Sequence, residues 1–272
     1  MDSTKIHITL DDFPFYKSKR VMYNDEHKCK YEIRCSEGLE NLSDDTPIYK
    51  YLKLPYLLEL LTTKNLYIAR RDIFSDRRDA KGDKIQLSEY INTFDFAKRL
   101  TKKEMKSKEL KSKFIWNQFI SCWTLNINSE REFFENYLLW KNYDSRDIVC
   151  RIGTTINKLI FSISKLSNDM ILSPIQYEPY DKKHIDSLYW KTFVKADFYK
   201  GENEIRLLVL SNSKTNSLDR FILIPVNIEN LLTEVAISPF ISRLTQDFIS
   251  DQLLMKYPFL NGKITKTPII EY

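Results

Sequence analysis

Three residues of this chain are well suited to chemistry: Glu202, Glu204 and Arg206, in the run Glu-Asn-Glu-Ile-Arg. The run enters an apolar segment, residues 207–210, that is typical of a buried strand. Two carboxylates two residues apart on an extended chain point to the same face. If they are buried together, their repulsion raises one pKa, and the pair suits acid/base work or stabilisation of an oxocarbenium-like charge. The alternative is that Gly201 makes a turn, both carboxylates face water and Arg206 forms an ordinary ion pair.

A second candidate is a lysine between two tyrosines, Tyr49-Lys50-Tyr51. Either tyrosine could stack on a planar ligand such as a base or a nicotinamide ring. Tyrosine is also a common strand former, so a plain strand at the edge of the core is the alternative.

The charged loop at residues 70–79 carries Asp76 and Asp79 among several arginines. The aspartates could bind a metal and the arginines a phosphate, but such a loop is also typical of a solvated connector. No second acidic cluster has compatible spacing, and His27, Cys29 and Cys35 lack a fourth ligand. We therefore predict no metal site.

A basic stretch covers residues 98–113 and includes Lys98, Lys102, Lys103 and Lys106. Lysines in a row can follow a nucleic-acid backbone, where affinity comes from neutralised phosphates. A solvated helix face, or an insertion that docks a partner, explains the same pattern equally well.

Composition narrows the protein class. The chain has 272 residues, a formal net charge of +5 and only 5 glycines, which argues against a Rossmann or P-loop protein. No apolar run approaches the roughly 20 residues of a membrane span, and the N-terminus does not have the pattern of a signal peptide. Cys122 and Cys150 lie in apolar segments and are interpreted as reduced core residues. These features predict a cytoplasmic protein; they do not indicate its oligomeric state.

Hydrophobic periodicity predicts one α+β domain, with a central, mostly antiparallel sheet flanked by helices. We expect a polar N-terminal extension at residues 1–45 with one edge strand at 5–10, and a domain at 46–272 with a basic helical insertion near 87–113. Helices are expected from Pro55, after a capping box formed by Ser129 and Glu132, and at 239–255. The expected strands of the domain are at residues 48–51, 66–69, 115–124, 148–152, 159–163, 188–199, 205–210 and 221–226.

In this order, the motifs resemble the prokaryotic family catalogued as domain of unknown function 2971, over roughly residues 48–255. The family has a tyrosine-lysine-tyrosine-like strand, a leucine-rich helix, a strand and a Phe-Asn-Asp-Pro loop, similar to residues 49–51, 57–61, 66–69 and 74–77. The loop departs from the pattern, because Ser75 and Arg77 replace Asn and Pro. The most specific element is a lysine and an aromatic followed by Glu-x-Glu-x-Arg, matched by Lys195, Phe198 or Tyr199, and residues 202–206.

The order of elements is also similar to that of ADP-ribosyltransferases. That resemblance implies that NAD is contacted by the first strand and the following loop, which here are Tyr49, Lys50, Tyr51, Phe74 and Asp76. It also implies that the carboxylate of Glu204, or of Glu202, stabilises the oxocarbenium-like transition state. Glu204 and Arg206 are then better supported as catalytic residues than Glu202. These implied roles rest on an analogy between folds.

The resulting hypothesis is a cytoplasmic, toxin-like effector, an NAD-using transferase that modifies nucleic acid or protein in antiviral defence. One alternative is a non-enzymatic nucleic-acid-binding or sensor module that uses the basic stretch. A metal-dependent nuclease is the weakest alternative, because the acidic residues do not pair convincingly.

Overall fold

The computed structural model describes residues 18–24, 29–35, 42–73, 118–125, 136–143, 147–163, 169–178, 192–210 and 220–267. Within these segments, strands and helices combine around a large, mostly antiparallel sheet, which confirms the α+β class expected from the sequence. No helix in the described segments has the length and apolar character needed to cross a bilayer.

The strands are β1 (Ser18–Asn24), β2 (Cys29–Cys35), β3 (Pro47–Lys53), β4 (Asn65–Arg70), β5 (Gln118–Leu125), β6 (Val149–Thr155), β7 (Asp169–Pro174), β8 (Gln176–Glu178), β9 (Val194–Ala196), β10 (Glu204–Leu210), β11 (Phe221–Pro225), β12 (Glu234–Ile237) and β13 (Ile264–Thr265). The helices are α1 (Leu54–Thr63), α2 (Tyr137–Tyr143), α3 (Ile156–Ser162), α4 (Ile228–Leu231) and α5 (Arg243–Lys256). Short 3-10 turns cover Arg71–Ile73, Asp197–Glu202 and Pro258–Leu260.

Helix boundaries follow local chemistry. Helix α1 has a proline in its first turn and ends at Lys64, which takes the left-handed conformation with φ of 54°. The side chain of Thr155 caps α3, that of Asn227 caps α4 and that of Ser242 caps α5. Each of these side chains accepts a hydrogen bond from a backbone N–H that the first turn leaves without a helical partner.

The main sheet runs in the order β1-β2-β7-β10-β5-β3-β6-β12-β13, with β4 paired to β5 and β11 paired to β4. In this sheet the pairs β2–β7 and β12–β13 are parallel, and its other pairs among the described residues are antiparallel. Strands β8 and β9 form a separate parallel pair. Strands β1 and β2 thus add an antiparallel pair to the edge of the sheet, whereas the edge strand expected at residues 5–10 lies outside the described residues.

Strand β5 is the branch point of the sheet. One of its edges pairs with β10 from Gln118 to Thr124. Its other edge pairs with β4 at Phe119 and Ile120 and with β3 at Thr124 and Leu125. The three residues between these two pairings face a gap where β3 and β4 part, and we call this gap the fork.

The two faces of the sheet differ in chemistry. One face carries Ile48, Trp123 and Leu207 and packs in the main apolar core, to which α1, α3, α4 and α5 contribute. The opposite face carries charged residues together with a small aromatic cluster in which Tyr51 packs against Trp140 of α2. Because alternate residues of a strand point to opposite faces, Glu204 and Arg206 of β10 and Cys122 and Thr124 of β5 share the face of Tyr51. Ser121 of β5 and Lys50 of β3 point to the core face.

Several expected elements differ in the structure. Residues 159–163 were expected to form a strand, but Leu159, Ile160 and Phe161 belong to α3. Of the strand expected at 188–199, residues 194–196 form β9 and the chain then turns into a 3-10 helix. Helix α5 begins at Arg243 rather than at Pro239. In that helix Leu244 and Phe248 are 81% and 63% exposed, so they do not belong to its buried face as their spacing suggested.

Candidate functional site

Glu204 and Arg206 form a buried ion pair on β10. Arg206 donates from Nε to Glu204 Oε1 at 2.6 Å and from Nη2 to Oε2 at 3.1 Å. Glu204 is 5% exposed and Arg206 has no exposed surface. The two side chains lie on one face because they are two residues apart on a strand. The sequence argument applied this spacing to Glu202 and Glu204 instead.

Lys195 of β9 connects the carboxylate of Glu202 to this ion pair. Its Nζ lies 2.7 Å from Glu202 Oε2 and 3.3 Å from Glu204 Oε2. Glu202 ends a 3-10 helix, and Asn203 follows it in the left-handed conformation with φ of 44°. The two glutamates therefore approach Lys195 from a turn and a strand, and not from one extended segment as was expected.

Two further elements hold the start of β10. The backbone N–H of Glu204 donates to the hydroxyl of Tyr177 on β8 at 2.8 Å. Arg206 Nη1 donates to the carbonyl of Thr192 at 2.7 Å. Tyr177 of β8 and Thr192, two residues before β9, thus hold both members of the ion pair.

The carboxylate of Glu204 is ionised at neutral pH. Burial acts to raise its pKa, but the charge and hydrogen bonds of Arg206, helped by Lys195, lower the pKa to about 2. The sequence argument expected two buried glutamates to raise one pKa by repulsion. The structure contradicts this expectation for Glu204, because two cations contact the carboxylate. The alternative, in which both glutamates simply face water, is also wrong for Glu204.

Cys122 of β5 contacts the same carboxylate. Cys122 is directly opposite Arg206 in the β5–β10 pairing, and its thiol forms a hydrogen bond with Glu204. Desolvation and then the negative charge of Glu204 raise the pKa of this thiol far above its ordinary value. Cys122 is therefore a protonated hydrogen-bond donor to Glu204, a role that its interpretation as a core cysteine did not include.

Lys50 lies at the fork. Its Nζ donates to Ser121 Oγ at 3.2 Å and to the carbonyl of Cys122 at 3.1 Å, and it stands 5.6 Å from the centre of the Trp123 ring. These are the three β5 residues that face the gap between β3 and β4. Desolvation lowers the pKa of the Lys50 amine, although the residue keeps part of its surface exposed.

Tyr143, at the end of α2, reaches the cluster from another side. Desolvation, followed by the charges of Cys122 and Glu204, raises the pKa of its hydroxyl, yet 41% of the residue is exposed. Lys50 and Cys122 likewise combine desolvation with partial exposure. We call the group formed by Cys122, Tyr143, Glu202 and Glu204 the Glu204 cleft. Lys50 points to the other face of the sheet and does not belong to this group.

The two tyrosines that flank Lys50 have structural partners. Tyr49 lies on the face of Glu204 in a row that crosses the sheet, Glu204–Thr124–Tyr49–Gly153–Glu234. Its ring is covered by the guanidinium of Arg151, 4.7 Å from the ring centre, and Arg151 is itself paired with Glu234.

The ring of Tyr51 is 4% exposed and packs between Trp140 and Tyr143, with ring centres 5.0 and 6.2 Å away. Both tyrosines are buried, so neither presents an open ring to a ligand.

Of the residues predicted from the sequence, the structure thus brings together Glu202, Glu204 and Arg206, whereas Lys50 contacts β5 from the core face of the sheet. Sequence reasoning did not propose Cys122, Tyr143, Tyr177 or Lys195 as site residues, although Lys195 belonged to the motif of the family resemblance. The one local signal for the role of Lys195 was its position seven residues before the Glu-x-Glu run. Phe74, Asp76 and the lysines at 98, 102, 103 and 106 lie outside the described residues.

The described residues hold no group of three or more His, Cys, Asp or Glu side chains arranged to bind a metal ion. Comparisons with protein-family models, with curated proteins and with solved structures found no match to this chain. The resemblances to domain of unknown function 2971 and to ADP-ribosyltransferases therefore stay predictions.

Proposed function

We propose that the chain is an NAD-using effector of the ADP-ribosyltransferase type, which modifies nucleic acid or protein at the Glu204 cleft. One observation carries the proposal: the ionised, desolvated carboxylate of Glu204 lies close to the partly exposed ring of Tyr143 and to the more exposed carboxylate of Glu202. Perturbed titratable groups of this kind concentrate at functional sites.

The residues of the cleft fit NAD by chemistry. The partly exposed ring of Tyr143 suits a planar nicotinamide or adenine. Bound NAD supplies a glycosidic bond that breaks with departure of neutral nicotinamide and gain of positive charge on the ribose. No Gly-rich loop is required for this mode of binding.

Glu204 supplies the negative charge that such a reaction needs. A fixed carboxylate beside a developing positive charge stabilises the transition state more than the ground state. Arg206 and Lys195 keep the carboxylate ionised and fix its orientation, and they are positioning residues in this scheme. Glu202 is more exposed than Glu204, which suits contact with the incoming acceptor.

The test is incubation of the protein with labelled NAD and RNA, DNA or cell extract. We expect label transfer, or loss of NAD, with the wild type and a drop of at least about a hundredfold for Glu204→Gln, the loss typical when one stabilising group is removed. Glu229→Gln, at an exposed position on α4, is the matched control and should retain full activity.

Because Glu204→Gln leaves Arg206 without its carboxylate, its folding must be checked by circular dichroism. Tyr143→Ala, at an exposed position, is a second variant that should reduce activity while the protein stays folded. Absence of both label transfer and NAD loss in the wild type contradicts the proposal and returns attention to a non-enzymatic binding module.

A further inference from the structure

The hydroxyl of Tyr177 accepts a hydrogen bond at the start of β10 and keeps a donor of its own. It lies 2.8 Å from the backbone nitrogen of Glu204, whose N–H donates to it. A phenol also carries one O–H that can donate. Among the residues that the structure describes, this O–H contacts no acceptor. Tyr177 is half-buried, so the donor is available to a molecule bound beside Glu204.

This hydroxyl stays protonated at neutral pH. Desolvation raises the pKa of Tyr177, and the negative charges of Glu204 and Glu202 act in the same direction. These effects outweigh the hydrogen bond from the Glu204 backbone, which lowers the pKa. Tyr177 is therefore a neutral donor next to ionised carboxylates.

Strand pairing brings Tyr177 to the carboxylates of the Glu204 cleft. Tyr177 is directly opposite Lys195 in the β8–β9 pairing, so the two side chains leave the small sheet on the same face. Lys195 Nζ lies 2.7 Å from Glu202 Oε2 and 3.3 Å from Glu204 Oε2. The two neighbouring side chains thus reach one short segment, residues 202–204, through hydrogen bonds.

The charges of this group indicate a neutral partner for the Tyr177 donor. Lys195 and Arg206 carry two positive charges, and they contact the two negative charges of Glu202 and Glu204. A charged ligand group would add an unbalanced charge, which is costly where water is excluded. A hydroxyl is neutral, and it accepts and donates at once. The Glu202 carboxylate has about four acceptor sites, so it can accept from such a hydroxyl as well as from Lys195.

We propose that Tyr177 and Glu202 together bind a sugar hydroxyl of the ligand, with Tyr177 as the donor and Glu202 as the acceptor. The inference deepens the proposed function and rests on it for the class of ligand, since the hydroxyls of NAD belong to its riboses. Tyr177 is then a specificity-determining residue. A ligand without the hydroxyl leaves both protein groups without that partner, and sites built in this way reject such analogues.

Binding of ADP-ribose, measured by titration calorimetry, tests the proposal without any reaction. The comparison uses two analogues, each lacking a different secondary hydroxyl of the terminal ribose. We expect one analogue to bind the wild type at least about tenfold more weakly than ADP-ribose, because a neutral and a charge-assisted hydrogen bond are lost together.

Tyr177→Phe removes the donor and keeps the ring. We expect it to weaken binding of ADP-ribose by about three- to tenfold and to leave the affinity for the weaker analogue unchanged. Tyr67→Phe, at an exposed tyrosine of β4 whose ring stacks on Phe221, is the matched control and should bind all three ligands like the wild type. Because Tyr177→Phe leaves the Glu204 N–H without its acceptor, circular dichroism must confirm that the variant folds.

A second measurement uses the wild type and does not depend on the folding of a variant. In protein with isotope-labelled tyrosine, NMR follows the Tyr177 carbon that bears the hydroxyl. We expect its signal to shift when ADP-ribose is added and to stay in place with the weaker analogue at matched saturation.

The proposal is overturned if the wild type does not bind ADP-ribose, or binds it and both analogues equally. An equal loss for all three ligands in Tyr177→Phe also overturns it, because that result indicates a purely structural role. These outcomes are distinct from failure of the transferase. If Tyr177 and the hydroxyl are coupled while NAD is never consumed, the sugar site stands and the transferase proposal falls. If NAD is consumed without that coupling, the reverse holds.

Discussion

Arg206 holds both carboxylate oxygens of Glu204 through Nε and Nη2, in a position from which water is excluded. A bidentate pair of this kind is geometrically specific as well as strong. The pair also links three parts of the fold, because Arg206 reaches the carbonyl of Thr192 and Glu204 reaches Tyr177.

Removal of Arg206 should destabilise the protein severely. Arg206→Met leaves a buried carboxylate with Lys195 as its remaining cation, and breaking such a pair costs about 3–5 kcal/mol in free energy of unfolding. Arg206→Lys should not restore stability, because an ammonium cannot reproduce the two-point contact. Urea denaturation measures the effect. Arg220→Met, at an exposed position, is the control and should stay within about 0.5 kcal/mol of the wild type. A similar small loss for Arg206→Met would contradict the structural role of the pair.

Stability should depend on Glu204 in acid. Its folded-state pKa of about 2 lies below the ordinary value of 4.5, so the unfolded chain binds the proton more readily. The stabilisation is complete above pH 4.5 and is lost as the pH falls toward 2, by about 3 kcal/mol. We expect the difference in unfolding free energy between wild type and Glu204→Gln to shrink over that window. A difference that stays constant from pH 5 to pH 2.5 would show that folding does not lower the pKa of Glu204.

Cys122 should be a poor nucleophile despite its partial exposure. Thiolates react and thiols do not, and desolvation together with Glu204 raises the pKa of this thiol. Alkylation by iodoacetamide at pH 8, read peptide by peptide by mass spectrometry, should be at least about a hundredfold slower at Cys122 in the folded protein than in urea. Comparable rates in the two states would mean that the thiol is not paired with Glu204.

The row across the sheet leaves no room for a side chain at Gly153. A Cβ there would stand 2.9 Å from Glu234 Cβ and 3.2 Å from the ring of Tyr49. Gly153→Ala should therefore cost about 1–3 kcal/mol by overpacking, measured by thermal or urea unfolding. Gly201→Ala is the matched control, since its nearest neighbour would be Leu138 Cδ1 at 4.0 Å. If the two variants are equally stable, the close approach of Tyr49 and Glu234 is not rigid.

Much of the fold follows from apolar patterning. The runs at residues 148–152, 205–210 and 221–226 were predicted as strands and correspond to β6, β10 and β11. The run at 159–163 was wrongly predicted to be a strand, because a short and mostly apolar run does not distinguish a strand from a buried helix. The cap at Thr155, three residues before the N–H that it binds, was the signal that could have indicated the helix.

The site was less predictable than the fold. Glu204 and Arg206 lie side by side because every second residue of a strand points to the same face, and this spacing can be read from the sequence. Cys122, Tyr143 and Tyr177 reach Glu204 from three other elements, and no local pattern in the sequence indicates which strands become neighbours. The turn at Asn203 was also not predictable, because nothing in the sequence Glu-Asn-Glu indicates that the asparagine adopts the left-handed conformation.

The balance of charges around Lys195 has a consequence for the response of the protein to salt. Dissolved ions screen exposed pairs such as Lys266 with Asp247, but they do not enter the space between Glu204 and Arg206. Changes in ionic strength therefore leave this group intact while they weaken the surface pairs around it. Orientation of the Glu204 carboxylate is thereby independent of the electrolyte in which the protein works.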